Sequence, residues 1–279
     1  MTRHTMSSAL GPTPPLRGED LPYDDGEPME SQRHHDQMNL LIGSLRSAWH
    51  DRHDFYVAGN MAVYFSETQA RAQDFRAPDF FAVLDTDDRE RRSWVVWEED
   101  GRVPDLIVEI VSESTEHVDR GLKKDVYARL RVPSYVLFDP FSARLDAFRL
   151  DASGRRYEPA PTDARGFVRC APLGLFLGVV SGVYGRVEAP WLRFIDDEGQ
   201  VLLDDSERAV QERARAAQEG ARAEREAERA EREAERAERE AERAEREAER
   251  AEREAARADL AVAELAALRE QLAKRPRES

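Results

Sequence analysis

Cysteine is almost missing from this chain, since Cys170 is the only one among 279 residues. A single cysteine excludes an internal disulfide and a zinc site built from several cysteines, so we expect a cytoplasmic protein. Long apolar runs are also missing. No stretch reaches about 18 apolar residues, and we therefore expect no membrane-spanning helix. Basic residues are not in excess either, because 42 Lys and Arg face 57 Asp and Glu. This balance excludes a protein that simply coats nucleic acid.

Charge divides the chain into a body and a tail. Residues 206–279 contain 21 acidic and 18 basic residues, a net charge of −3, whereas residues 1–205 contain 36 and 24, a net charge of −12. Proline and glycine are concentrated at 1–28, which contains no apolar core of signal-peptide length. We therefore predict an irregular or disordered lead-in at 1–28, a globular domain at 29–200 and a helical extension at 201–279.

The body mixes helical and strand patterns. One helix is predicted at 31–49, where Met38, Leu41, Ile42, Leu45 and Trp49 recur at helical spacing, and another at 119–131. Segments rich in Val, Ile, Tyr and Phe predict strands at 55–65, 80–84, 94–97, 106–111, 134–138 and 145–150. Short glycine-rich strands are predicted to continue to residue 195. This order indicates a mixed α/β fold with a sheet as its core.

The strand at 106–111 contains an ionisable residue in an apolar run. Side chains alternate along a strand, so Glu109 shares one face with Asp105, Ile107 and Val111. A buried carboxylate without a partner is very costly, and such groups often mark functional sites. The competing interpretation is a structural salt bridge between Glu109 and an arginine of a neighbouring element.

A second acid opens another apolar strand. Pro78-Asp79 precedes Phe80–Leu84 in the way that Pro104-Asp105 precedes the strand of Glu109. Taken alone, Asp79 is better explained as a turn residue at the start of a strand. Two carboxylates on adjacent strands, however, cannot both stay ionised without a counter-charge. Mg²⁺ is the natural cation for carboxylate and water ligands.

The helix predicted at 119–131 offers a positive partner. A buried stripe is expected along Leu122, Val126, Tyr127 and Leu130. At about 100° per residue, Lys123 lies about 35° from the centre of that stripe and Lys124 about 135° from it. We therefore expect Lys123 to lean towards the core, and Lys124 to be a solvated surface charge. The alternative for Lys123 is a lysine that snorkels at the rim of the stripe.

Several stretches together resemble the Uma-type family of bacterial restriction endonucleases, which belongs to the PD-(D/E)xK nuclease superfamily. They cover most of residues 25–200 and include VAGNMAVYF at 57–65, APDFFAV at 77–83, VPDLIVEIVSEST at 103–115, DRGLKKDVY at 119–127 and VPSYVLFDP at 132–140. The resemblance implies a restriction-endonuclease-like mixed sheet core flanked by helices. A long charged C-terminal helix would follow that core in this chain.

The same resemblance implies roles for three residues. Asp79 matches the metal-binding aspartate of the superfamily and Glu109 its second acid. The usual lysine two residues after the glutamate is replaced by Val111. In this family a lysine on the following helix is thought to take its place, and Lys123 is the match. The implied reaction is Mg²⁺-dependent hydrolysis of DNA phosphodiester bonds, with Mn²⁺ as a possible substitute.

A different class of function fits the charge better. The net charge of −12 in the body favours a catalytically weak nuclease-fold module that binds a protein partner through its helical tail. A basic groove beside Asp79 would favour DNA instead.

The tail contains an internal repeat. The heptad AEREAER begins at Ala223, Ala230, Ala237 and Ala244, and a degraded copy follows at Ala251. Heptads suggest a coiled coil, but the a and d positions here are alanines and the e and g positions glutamates, so the seam between two chains is weak. Pairs such as Glu228–Arg232 instead favour a single solvated helix at 223–257. Homo-oligomers would form through the body or through Val262–Leu272, where Val262, Leu265 and Leu272 supply apolar bulk.

Overall fold

The computed structural model describes Arg17, Leu21 and residues 31–67, 75–112 and 116–273, with side chains to Arg269. The chain forms two compact units that divide between Val210 and Gln211. Apart from Arg17 and Leu21, the predicted lead-in at 1–28 lies outside the described residues. None of the helices in these ranges combines the length and apolar composition needed to cross a membrane.

A mixed six-stranded sheet forms the centre of the first unit, in the order β1-β3-β5-β6-β7-β8. Strands β5 and β6 are parallel, and the other neighbours in this sheet are antiparallel. The strands are β1 (Phe55–Ala58), β3 (Phe80–Leu84), β5 (Leu106–Ile110), β6 (Ser134–Asp139), β7 (Arg144–Leu150) and β8 (Tyr157–Pro159). The predicted α/β fold with a mixed sheet is therefore confirmed.

Two smaller sheets complete the unit. A parallel pair joins β2 (Val63–Tyr64) to β4 (Trp94–Val95), which runs into a 3₁₀ turn at Val96–Glu98. A three-stranded antiparallel sheet has the order β11-β10-β9. Its strands are β9 (Val168–Cys170), β10 (Leu175–Tyr184) and β11 (Val187–Ile195).

Three helical segments whose two ends both lie in the described residues accompany the sheets. The first, α1 (Gln32–Ala48), has Ser31 as its N-cap. The second, α2, is the crossover between β5 and β6 and has three parts, an α-helical turn at Glu116–Val118, a π-helical turn at Asp119–Lys123 and an α-helix at Lys124–Arg129. The third, α3 (Asp205–Ala273), contains the heptads. It begins with a capping box, in which Glu207 N donates to Asp204 Oδ1 and Asp204 N donates to Glu207 Oε2.

The predicted strand at 55–65 is wrong in its middle, because β1 and β2 are separate. The chain turns at Gly59 and Asn60, and Asn60 has a positive φ of 46°. A Cβ at Gly59 would lie 2.4 Å from the carbonyl oxygen of Asp79. The turn therefore packs directly against the backbone of Asp79, a predicted site residue. Only glycine, which has no Cβ, allows an approach this close.

The central sheet is covered on both faces. On one face Phe80, Leu106 and Val108 pack with Leu41 and Leu45 of α1 and with residues of the three-stranded sheet, including the buried Cys170. On the other face, Phe81 and Ile107 pack with Tyr127 of α2. All five residues of β5 are buried, as expected for a strand covered on both sides.

Candidate active site

Asp79 and Glu109 are placed opposite each other by strand register. In the antiparallel pair β3–β5, Phe81 faces Ile107 and Phe80 faces Val108. One further step in this register places Asp79 opposite Glu109. Directly opposed residues have Cβ atoms about 4.5–5.5 Å apart. By strand alternation both carboxylates project to the face of the sheet that α2 covers.

The two Pro-Asp sequences make the same hydrogen bond. Asp79, at the start of β3, accepts from Ile110 N at the end of β5, at 2.6 Å. Asp105, at the start of β5, accepts from Leu84 N at the end of β3, at 2.8 Å. Each carboxylate therefore satisfies the last peptide group of the neighbouring strand. This cross-strand bond is structural and is shared by both residues, so any chemical role of Asp79 depends on its other neighbours.

Glu109 has two side-chain partners, both from α2. Only 1% of its surface is exposed. Tyr127 Oη donates to Oε1 at 3.0 Å, and Lys123 Nζ lies 3.1 Å from Oε2. The alternative that an arginine neutralises Glu109 is therefore wrong, because Lys123 is the cation at this carboxylate.

The Glu109 carboxyl is hard to ionise. Burial raises its pKa, Lys123 lowers it, and the charges of Asp79 and Asp119 raise it again, with a net result of about 8. Burial and the neighbouring acids thus outweigh the single lysine. The raised pKa is therefore first of all a consequence of burial, and the two neighbouring acids add to it.

Asp119 is a member of this group that the sequence analysis missed. It is 1% exposed, and its Oδ1 lies 2.8 Å from Lys123 Nζ. Burial lowers the pKa of Lys123, but Glu109 and Asp119 raise it more, so the net pKa lies above its ordinary value. Lys123 is therefore a permanent cation. The signal in the sequence was the spacing, because Asp119, Lys123 and Tyr127 recur every four residues and share one side of a helix.

The π-helical turn changes the predicted faces of α2. Leu122 was expected in the buried stripe, but it is 58% exposed. A π turn closes i to i+5, so the rotation of about 100° per residue does not apply across 119–123. Lys123 nevertheless points inward, as predicted.

Lys124 departs from its prediction. It is half-buried, and Nζ lies 3.6 Å from the centroid of the Phe148 ring, a cation–π contact. The expectation of a solvated surface charge is therefore wrong.

The donor set at this site fits Mg²⁺. Magnesium is usually held by one or two carboxylates, with water as its other ligands. Asp79 and Glu109 supply two such groups from neighbouring strands. Within the described residues, no group of three or more His, Cys, Asp or Glu side chains is arranged to hold a metal. A metal here would thus depend on two protein carboxylates and on water.

A known family matches the part of the chain that contains this site. The chain matches the Uma2 family, described as "putative restriction endonuclease", over residues 14–177. Because the match covers more than half of the chain, the protein belongs to this family. It includes β3, β5 and α2, and therefore Asp79, Glu109, Asp119 and Lys123. No curated protein matches the chain.

Proposed function

We propose that this protein is a metal-dependent endonuclease that hydrolyses phosphodiester bonds of DNA, in the cytoplasm. The observation that carries the proposal is the buried Glu109, which lies opposite Asp79 in the strand register and contacts Lys123. Membership of a family described as putative restriction endonuclease supports the choice of reaction.

In this proposal Asp79 and Glu109 hold a Mg²⁺ ion, and Mn²⁺ suits the same oxygen ligands. The bound ion would supply Lewis acidity to the scissile phosphate and lower the pKa of water. Asp79 is fixed for this task by its hydrogen bond from Ile110 N. Glu109 is fixed by Tyr127, whose hydroxyl donates to the carboxylate.

Lys123 acts as a donor of hydrogen bonds rather than as a base. Its pKa lies above the ordinary value, so it keeps its proton at neutral pH. A charged lysine that leans on Glu109 can orient the attacking water or stabilise charge on the phosphate oxygens. Asp119 positions this lysine, because its carboxylate lies 2.8 Å from the same Nζ that contacts Glu109 Oε2.

A second candidate is a nuclease-fold module that binds a protein partner. The observation in its favour is the same contact, because a buried Glu109 held by Lys123 and Tyr127 also fits a purely structural role. Incubation of the full chain with plasmid, single-stranded DNA and RNA, with and without Mg²⁺ or Mn²⁺, separates the two candidates. Metal-dependent cleavage of plasmid supports the endonuclease. Intact plasmid under every condition rejects it in favour of the binding module.

A further inference from the structure

A basic cleft lies beside α2, and Lys124, the residue after Lys123, is part of its lining. It is a cavity of about 490 Å³ between α2 and the turn that joins β7 to β8. Its cationic residues are Arg120, Lys124 and Arg129 on the helix and Arg155 and Arg156 on the turn. Asp125 is the one acid among the described residues that line it. Five cations and one acid at one place contrast with a chain whose net charge is −15.

Most of these cations are not used by the fold. Arg129, Arg155 and Arg156 are exposed, and in the described part of the chain they form no ion pair. The salt bridges of the neighbourhood belong to Arg120, which contacts Glu116 and Asp146, both at 2.7 Å. Three exposed guanidinium groups near one another repel each other unless an anion lies between them. The cleft is therefore suited to a ligand with several negative charges.

Packing holds the cleft in position. Lys124 rests on the ring of Phe148, and Tyr157 stacks on Tyr135, with ring centroids 5.7 Å apart. Tyr157 Oη also donates to the carbonyl of Val132 at 2.8 Å. The walls of the cleft are thus ordered before any ligand arrives, which lowers the entropic cost of binding.

The cleft and the candidate active site share one helical segment. Lys123 contacts Glu109 on the sheet, and Lys124 lines the cleft. Tyr135, which is part of the wall behind Tyr157, donates to the carbonyl of Asp119 at 2.9 Å. A polyanion bound in the cleft would therefore lie alongside the segment that positions Lys123.

We infer that the basic cleft binds phosphate groups of the DNA backbone next to the candidate active site. This inference rests on the proposed function for its choice of ligand. Arginine forks match phosphate oxygens in bidentate fashion, and four of the five cations are arginines. Three exposed arginines without an ion pair in the described part of the chain, placed on two elements, exceed the needs of a single phosphate, so a strand fits better than a small anion. Contacts to the phosphate backbone of DNA do not distinguish one base from another. The cleft should therefore contribute affinity without sequence preference.

The test compares two double variants of the full chain. R155A/R156A removes two exposed arginines of the cleft. R102A/R165A removes two partly exposed arginines elsewhere in the first unit, each paired with a nearby aspartate, and changes the net charge equally. Binding of a fluorescent DNA duplex is measured by anisotropy at several salt concentrations, in EDTA so that no cleavage occurs. Melting temperatures confirm that both variants fold.

The expected result is a selective loss in the cleft variant. Each phosphate contact contributes about 0.9 to the slope of log affinity against log salt, so R155A/R156A should lower that slope by about 1.8. Its affinity at low salt should fall about tenfold, while R102A/R165A stays close to wild type.

Several results would overturn the inference. They are absence of DNA binding by the wild type, equal losses in both double variants, and an unchanged slope in R155A/R156A. Inorganic phosphate that binds the wild type as tightly as the duplex does would show a small-anion site instead of a strand site. A wild type that binds through the cleft but never cuts DNA would leave this inference standing and reject the proposed endonuclease.

Discussion

A salt bridge between a basic side chain and a glutamate occurs in two regions of this molecule under opposite conditions. In the body, Lys123 Nζ lies 3.1 Å from Glu109, and the two side chains are 22% and 1% exposed. In the tail, Arg232 lies 3.0 Å from Glu228, and the side chains are 71% and 65% exposed. Distance and chemistry are nearly equal, so the difference between the pairs lies in their surroundings.

Burial decides what each pair can do. Removal of one partner from a buried pair costs about 3–5 kcal/mol, because it leaves an uncompensated charge. An exposed pair at i and i+4 contributes only about 0.2–0.5 kcal/mol to its helix. The tail gains stability by repeating a weak contact, whereas the body concentrates buried ionisable groups at one place. Such clusters often mark functional sites.

The largest effect is expected from Glu109→Gln. The variant keeps the shape of the side chain and removes the metal-binding charge, so metal-dependent cleavage of plasmid should be abolished. Lys123 retains Asp119, and the fold should persist. Cleavage rate and melting temperature are measured together, and activity equal to wild type would falsify the assignment of Glu109.

The two Pro-Asp sequences provide a matched pair of variants. Asp79→Asn and Asp105→Asn weaken equivalent hydrogen bonds, to Ile110 N and Leu84 N, and both should lose about 1 kcal/mol of stability. Cleavage should be lost in Asp79→Asn and retained in Asp105→Asn, because Asp79 lies opposite Glu109. Equal activity in the two variants would show that Asp79 has only a structural role at the start of its strand.

The adjacent lysines should separate catalysis from binding. Lys123→Ala should lower kcat by about a hundredfold or more, as expected when a charge-stabilising donor is removed. Lys124→Ala should leave kcat near wild type and raise KM, because Lys124 lines the basic cleft. Steady-state kinetics on plasmid measures both, and a greater loss of kcat in Lys124→Ala would show that the inward placement of Lys123 has no catalytic meaning.

Stability of the metal-free protein should fall as pH rises. The pKa of Glu109 is about 8 in the folded protein and 4.5 ordinarily, so between these values the folded state keeps a proton that the unfolded state has released. The pKa of Lys123 is raised, so this lysine stays protonated over the same pH range and adds no pH dependence to the stability. Urea midpoints measured between about pH 5 and about pH 8 should therefore decline.

Glu109→Gln should flatten this profile. A profile as steep as that of wild type would show that another group is responsible. Mg²⁺ should stabilise the wild type more at the alkaline end, because metals bind the ionised carboxylates.

The smallest effects per contact are expected in the tail. Besides Glu228–Arg232, the structure pairs Glu235–Arg239, Glu242–Arg246 and Glu249–Arg253. A peptide of residues 223–257 should form a monomeric helix about 52 Å long. Circular dichroism and sedimentation at several concentrations measure this. If the peptide becomes helical only when it dimerises, the single-helix prediction is wrong and the tail forms a coiled coil. Self-association of the full chain should depend on Val262, Leu265 and Leu272.

Much of the fold was predictable because its signals are local. The strand at 80–84 and the helix at 31–49 were placed correctly to within a residue, from apolar runs and helical spacing. The break at Gly59 was not predictable. It depends on the close approach of Asp79, which is distant in sequence.

The candidate site was predictable in part. Asp79, Glu109 and Lys123 were chosen from the sequence, and the strand register and α2 bring them together. Asp119, the exposure of Leu122 and the contact of Lys124 with Phe148 were missed, because a π turn inside α2 changes which side chains face the sheet.

The sequence by itself determined the helix of the tail, because its contacts join residues four apart and need no other element. It also determined which strands are buried, because apolar runs avoid water wherever they lie. Tertiary structure alone decided the partners of Glu109. A buried carboxylate takes whichever cation the packing brings within reach, and here that is a lysine from the crossover helix. It also decided the basic cleft, since α2 and the β7–β8 turn meet only when the sheet has formed.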